Sequence, residues 1–166
     1  MDMNYQEKMN FWKDKEDNQM PKEKQIKKIE EALQAHNTCA LATGYDTFVR
    51  CSPLEYTYLN QVLYFFSEGG LKYQALEKNK NACAAIYEPF GQGPLFGLQI
   101  SGEMEEVKFW SEEYQEVVRY KKYPEKQIKA MEMPLWKLIP KEIEYLDGTL
   151  KKENYNVRQH WEASND

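Results

Sequence analysis

Gln61-Val62-Leu63-Tyr64-Phe65-Phe66-Ser67-Glu68-Gly69-Gly70-Leu71-Lys72-Tyr73-Gln74-Ala75-Leu76 reads as three pieces in succession. An apolar run of strand length leads into a turn bearing a hydroxyl and two glycines, and a helix headed by a lysine follows. The first turn of a helix has free backbone N–H groups and the positive end of the macrodipole, so it attracts anions. Ser67 can donate to a phosphate oxygen, Gly69 and Gly70 allow close backbone approach, and Lys72 supplies a point charge. Ordinary strand–helix junctions also use Ser to cap and Gly to turn. The stretch therefore gains its meaning from the segments on either side.

Strand patterns surround it. Residues 38–43 and 47–54 are joined by Gly44-Tyr45-Asp46, which has hairpin-turn chemistry. With 61–67 and 81–87 they make four strands. Leu98, Ile100, Gly102 and Met104 alternate with Gln99, Ser101, Glu103 and Glu105, the period of a half-buried strand. Residues 135–146 give a sixth strand around Pro140. Between strands, the glycine- and proline-rich window from Pro89 to Gly97 reads as a mobile loop. Helices are expected from Pro21 to near Asn37, with Ile26, Ile29 and Leu33 as its stripe, and over 111–120 and 125–133. Many short strands with few helices predict a mainly β protein, a barrel with helices packed outside. The expected organisation is an arm or short helix over 1–20, including Phe11 and Trp12, one domain over 21–150, and a tail over 151–166.

The chain has 166 residues, enough for one well-buried domain, and its net charge of −5 argues against a nucleic-acid partner. No apolar run reaches the roughly 20 residues of a membrane span, and the polar N-terminal segment lacks signal-peptide character, so a cytoplasmic location is expected. An aromatic share of 14% calls for a core, an interface or a ligand pocket to hold the rings. Cys39, Cys51 and Cys83 lie far apart in apolar segments, which fits neither a disulfide framework nor a metal site and predicts buried free thiols. Neither His36 nor His160 has a metal-ligand partner at helical spacing. His36 reads as a helix C-terminal residue favoured by the dipole, His160 as tail surface, and Trp110 and Trp136 as core.

Three further segments complete the pattern: Cys39-Ala40-Leu41-Ala42-Thr43-Gly44, Phe48-Val49-Arg50-Cys51-Ser52-Pro53-Leu54 and Leu98-Gln99-Ile100-Ser101-Gly102-Glu103-Met104. Their order and spacing around Ser67 and Lys72 resemble the FMN-binding split-barrel family, typified by pyridoxamine 5′-phosphate oxidase, over roughly 27–107. The resemblance implies a six-stranded split barrel of Greek-key type and a homodimer with FMN in a cleft between subunits. It also implies phosphate contacts from Arg50, Ser67 and Lys72, and places the backbone of Cys51, Ser52 and Pro53 beside the flavin ring. On strand 47–54, Phe48, Arg50 and Ser52 share one face, so a guanidinium fork and a hydroxyl point the same way. The turn is one residue shorter than in the oxidase proper, and no basic residue directly precedes Lys72. Residues 147–166 are read as lacking the Arg-x-His-Asp-Arg-like substrate signature, which places the chain among the shorter, general-stress-protein-like relatives. The implied function is an FMN-dependent oxidoreductase of an unspecified small molecule. The alternative is a non-catalytic FMN- or haem-binding module of the same fold.

Overall fold

The structure, a computed structural model, describes residues 3–11 and 18–164; Trp12 lies outside the described residues. A first helix, α1 (Tyr5–Asn10), is closed by a capping box in which Asn4 and Glu7 each bond the other's backbone N–H. Helix α2 (Lys22–Ala35) buries Ile29 and Leu33, while Ile26 stays half-buried.

Eight strands follow one another in a single antiparallel sheet: β1 (Thr38–Tyr45), β2 (Phe48–Glu55), β3 (Thr57–Leu59), β4 (Val62–Phe66), β5 (Asn81–Tyr87), β6 (Phe96–Val107), β7 (Leu135–Asp147) and β8 (Arg158–Glu162). The order across the sheet is β2-β1-β5-β6-β7-β4-β3, with β8 also on β7. The mainly β split-barrel expectation holds, but the count of six is corrected to eight. Both additions have a local cause. Asn60 and Gln61 carry φ of 53° and 64°, the two positive values of a type I′ turn, which folds the short β3 onto β4. The segment expected to be tail supplies β8, which pairs with residues 142–146 of β7.

The long β7 is shared. Residues 135–138 pair with β4 and residues 142–146 with β8. On its other edge, β7 meets β6 with a register shift between Ser101 and Gly102, opposite Pro140. A proline has no N–H for the ladder and is accommodated at such a bulge. A Cβ on Gly102 would sit 2.1 Å from the carbonyl oxygen of Ile139, so only glycine fits that crossing. The first hairpin turns at Asp46 (φ 49°), one step beyond the Gly44-Tyr45-Asp46 expected, since Gly44 and Tyr45 are still paired.

One face of the sheet carries Cys39, Leu41, Leu63, Phe65, Ala84, Ile86, Leu98, Ile100 and Leu138 into a core shared with α2 and with Leu76 of helix α3 (Lys72–Lys78). A second core forms where helices α4 (Glu112–Tyr120) and α5 (Glu125–Met131) lie over Tyr64, Val107 and Leu135. Trp136 joins the first core, and Trp110 packs against the second. The opposite face of β2-β1-β5-β6 is paved with small residues. Cross-strand neighbours Cys51, Ala42, Cys83 and Ser101 form one row, and Pro53, Ala40, Ala85 and Gln99 the next. All eight are half-buried or exposed. This corrects the reading of the thiols: only Cys39 is buried, because strand alternation turns Cys51 and Cys83 outward. Burial pushes the Cys39 thiol up to about 12. Among the described residues no helix is long and apolar enough to cross a membrane.

Candidate functional site

The apolar strand β4 ends at Phe66, and the chain then turns on Ser67. The Ser67 N–H donates to the carbonyl of Pro134 at 3.1 Å, while its own carbonyl accepts from the Tyr73 hydroxyl at 2.9 Å. Its Oγ donates to the Gly69 carbonyl at 3.5 Å. Gly69 and Gly70 follow with φ of 145° and 106°, values open to glycine and strained for other residues. Lys72 then begins α3 and folds back, its Nζ donating to the same Gly69 carbonyl.

Lys72 is only 8% exposed, and it makes no ion pair among the described residues. Besides the Gly69 carbonyl, its ammonium meets the ring of Tyr73, with Nζ 5.1 Å from the centroid. Burial holds its pKa below the ordinary lysine value of 10.5. A buried cation normally needs a counter-charge. Here one carbonyl and one aromatic face stand in for it, in a turn that also holds a hydroxyl. The arrangement is suited to an oxyanion.

Helix α3 packs against β1 and β2. It does so on the face carrying Phe48, Arg50 and Ser52: Gln74 of α3 donates to the Tyr45 hydroxyl at 3.2 Å, and the Tyr45 ring meets Phe48 at 5.7 Å. Arg50 is exposed and forms no ion pair among the described residues; opposite it on β1, the buried Thr43 hydroxyl has no hydrogen-bond partner. The structure thus joins Ser67 and Lys72 in one turn and puts Arg50 and Ser52 on the face beneath α3. No hydrogen bond links the two pairs. Cys51 and Pro53 project from the opposite face. Because β2 is an edge strand, the outer backbone edge of Cys51-Ser52-Pro53 is unpaired within the sheet.

Some participants were not legible beforehand. The sequence alone assigns no role to Tyr73 or Thr43; the aromatic directly after the lysine is the one signal that points to Tyr73. Arg158-Gln159-His160-Trp161-Glu162 shares only the first and third residues of the Arg-x-His-Asp-Arg-like signature and lacks its Asp-Arg. Both side chains stand on β8 at the margin of the small-residue face, where Arg158 meets Glu144 at 2.6 Å and His160 meets Glu162 at 2.9 Å. His36 is indeed at the C-terminal end of α2. Its ring stacks on Phe96 at 4.7 Å, and its two nitrogens bond the Ala32 carbonyl and Glu88, each at 2.8 Å. Trp136 is core, as expected. Tyr73 meets it edge-on at 5.7 Å, and its indole N–H has no acceptor.

This architecture is shared with solved proteins of several kinds. An FAD-binding protein from Mesorhizobium loti superimposes with a TM-score of 0.55 at 18% identity, over 70% of this chain and 89% of that one. A pyridoxamine 5′-phosphate oxidase-like protein from Listeria innocua gives 0.56 at 19% identity, over 72% and 96%. HutZ, the heme storage protein from Vibrio cholerae, gives 0.57 at 18% identity, over 69% and 89%. The fold is therefore a split barrel of the kind found in pyridoxamine 5′-phosphate oxidase-like proteins. No protein-family model and no curated protein matches the sequence.

Proposed function

We propose that the protein is an FMN-binding flavoprotein, an oxidoreductase acting on a small molecule. The observation that carries this reading is the buried, carboxylate-free ammonium of Lys72 in a Ser–Gly–Gly turn, on a fold that flavin-binding proteins share. A phosphate monoester brings about two negative charges and strong acceptor oxygens. Lys72 and the Ser67 hydroxyl hold that group, and Arg50 reaches it from β2 with a forked donor set. The open backbone edge of Cys51-Ser52-Pro53 offers hydrogen bonds to the polar rim of the ring. When bound, the flavin supplies the hydride or electron transfer, and the chain supplies binding, orientation and electrostatics. One terminal phosphate satisfies the turn, and the sequence has no G-x-G-x-x-G dinucleotide fingerprint, so FMN is preferred over FAD.

The assembly we propose is a twofold homodimer formed through the small-residue face. Ala40, Ala42, Ala85, Cys83 and Ser101 leave that face flat enough for a second copy, and the exposed Val49 and Tyr87 extend it. An obligate interface of this kind buries on the order of 2,000 Å². The location expected for the protein is cytoplasmic.

The colour of the purified protein is the first test. Flavin bands, with apo-protein taking up FMN more tightly than FAD, support the reading. A Soret band would favour the haem-binding alternative, and FAD binding as tight as FMN would remove the argument from the turn.

A further inference from the structure

The split in the sheet leaves a second site. Strands β4 and β8 occupy successive stretches of one edge of β7, and between them Ile139 and Pro140 pair with neither. Helix α2 crosses this gap instead of a strand. Beneath it lies a cleft of about 420 Å³ walled by Ile26, Tyr58, Val62, Ile139, Ile143 and Trp161. That volume lies in the range of small-molecule pockets, roughly 300–1,000 Å³. The cleft shares no lining residue with the turn at Ser67 and Lys72 or with Arg50 and Ser52.

Its polar groups are unequal at the two ends. Lys22 and Ser164 mark one end, the Lys22 Nζ donating to the Ser164 hydroxyl at 3.3 Å. Lys22 has no carboxylate partner among the described residues. The indole N–H of Trp161, in the wall, is buried without an acceptor among the described residues. Eight residues along α2, roughly 12 Å of helix, Glu30 accepts from the Tyr58 hydroxyl at 3.4 Å. On α2, Ile26 and Ile29 lie between Lys22 and Glu30, and Asn60 and Gln61 complete the polar lining. A ligand matching this order has an apolar body, and its negative head lies at the Lys22 end, away from Glu30.

We propose that this cleft binds a medium-chain alkyl carboxylate, with its carboxylate at Lys22 and Ser164 and its chain running along α2 between Ile26 and Trp161. The charge order orients an anion, whereas a cationic head would have to reverse and compete with the Tyr58 hydroxyl for Glu30. Burial of the chain against Ile143, Val62 and Trp161 provides the affinity, and the head group provides direction.

The test is calorimetric titration of the full-length protein with decanoate and, separately, with decylamine below their aggregation limits. Decanoate is expected to bind saturably at one site per chain, at least tenfold tighter than decylamine. Lys22→Glu, a surface change, should weaken decanoate about tenfold. Ile26→Trp, which fills the cleft from the half-buried face of α2, should abolish binding, with circular dichroism confirming that the variant is folded. As a readout independent of heat, decanoate should raise the melting temperature of the wild-type protein but not of Ile26→Trp. Bound flavin, where present, should stay bound throughout. No saturable decanoate binding would overturn the proposal, as would equal binding of decylamine or unchanged binding by both variants. Displacement of flavin by decanoate would also overturn it, because the anion would then be entering the turn at Lys72.

Discussion

Replacing Lys72 with Met removes the ammonium and keeps an unbranched stem of similar length. In the protein without flavin, the loss has two parts of opposite sign. The Gly69 carbonyl loses the stronger of its two donors and keeps the Ser67 hydroxyl, which costs about 1 kcal/mol net. Relief from burying a cation that is only 8% exposed and has no carboxylate partner among the described residues returns about 1–3 kcal/mol. The two nearly cancel or favour the variant, so the melting temperature should stay within about 4 °C of wild type or rise. FMN binding responds differently. One charge-assisted contact is worth about 1.5–3 kcal/mol, so FMN should weaken roughly 10- to 150-fold. Riboflavin, which has no phosphate, should be unchanged. A pH signature accompanies this. The free-protein pKa of Lys72 lies below 10.5, and a phosphate partner raises it. FMN affinity should therefore fall as pH rises through the lowered value in wild type, and Lys72→Met should lack that fall. Flavin-fluorescence titration and thermal denaturation together read both effects. Equal loss of FMN and riboflavin, or a melting temperature lowered by 10 °C or more, would show that Lys72 is structural and refute the reasoning.

Gly102→Ala forces a Cβ to within 2.1 Å of the Ile139 carbonyl oxygen and 3.1 Å of the Pro140 Cα. Backbone must move, so a cost of about 3 kcal/mol and a fall of roughly 6–12 °C are expected by thermal denaturation. Asp147 accepts from Tyr145, from the Thr149 hydroxyl and from the Thr149 N–H. Burial alone would raise its pKa, but those bonds outweigh it and hold the group below its ordinary 3.8. Its stabilisation is therefore present above that value and lost as pH falls through the lower folded one. Chemical denaturation should show the gap between wild type and Asp147→Asn closing as pH falls below about 4. Ala85→Arg, in the middle of the small-residue face, should turn a dimer into a monomer in sedimentation, and an unchanged mass would rule that face out as the interface.

Much of the barrel is written in strand alternation. Cys39, Leu41 and Thr43 face in while Ala40 and Ala42 face out, and Leu98 to Met104 repeats the pattern with Gly102 at the crossing. Strands β3 and β8 escaped because neither has that signature. The turn before β4 uses Asn60-Gln61 where Asn-Gly is the visible signal, and β8 reads Arg-Gln-His-Trp-Glu. Of its two inward residues, Trp161 is only partly buried, and Gln159 is fully buried but polar, satisfied by the Met20 N–H and the Asn156 carbonyl. Such a core position depends on partners far away in the chain, which local periodicity does not record. At the candidate site, residue types and order were legible at Ser67, Gly69, Gly70 and Lys72. The burial of Lys72 was not, since it follows from Tyr73 and the packing of α3 on β2. The direction of the thiols needed the pairing register of β1, β2 and β5.

In the function proposed above, the turn from Ser67 to Lys72 holds the phosphate of a flavin. The most direct measurement is the ratio of riboflavin to FMN dissociation constants for the wild-type apo-protein, under one buffer and at one ionic strength. The two ligands differ only in the phosphate. With Ser67, Lys72 and Arg50 engaged, FMN should bind at least about 100-fold tighter, the equivalent of roughly 3 kcal/mol for the phosphate. A ratio near one, with either ligand bound tightly, would contradict the account.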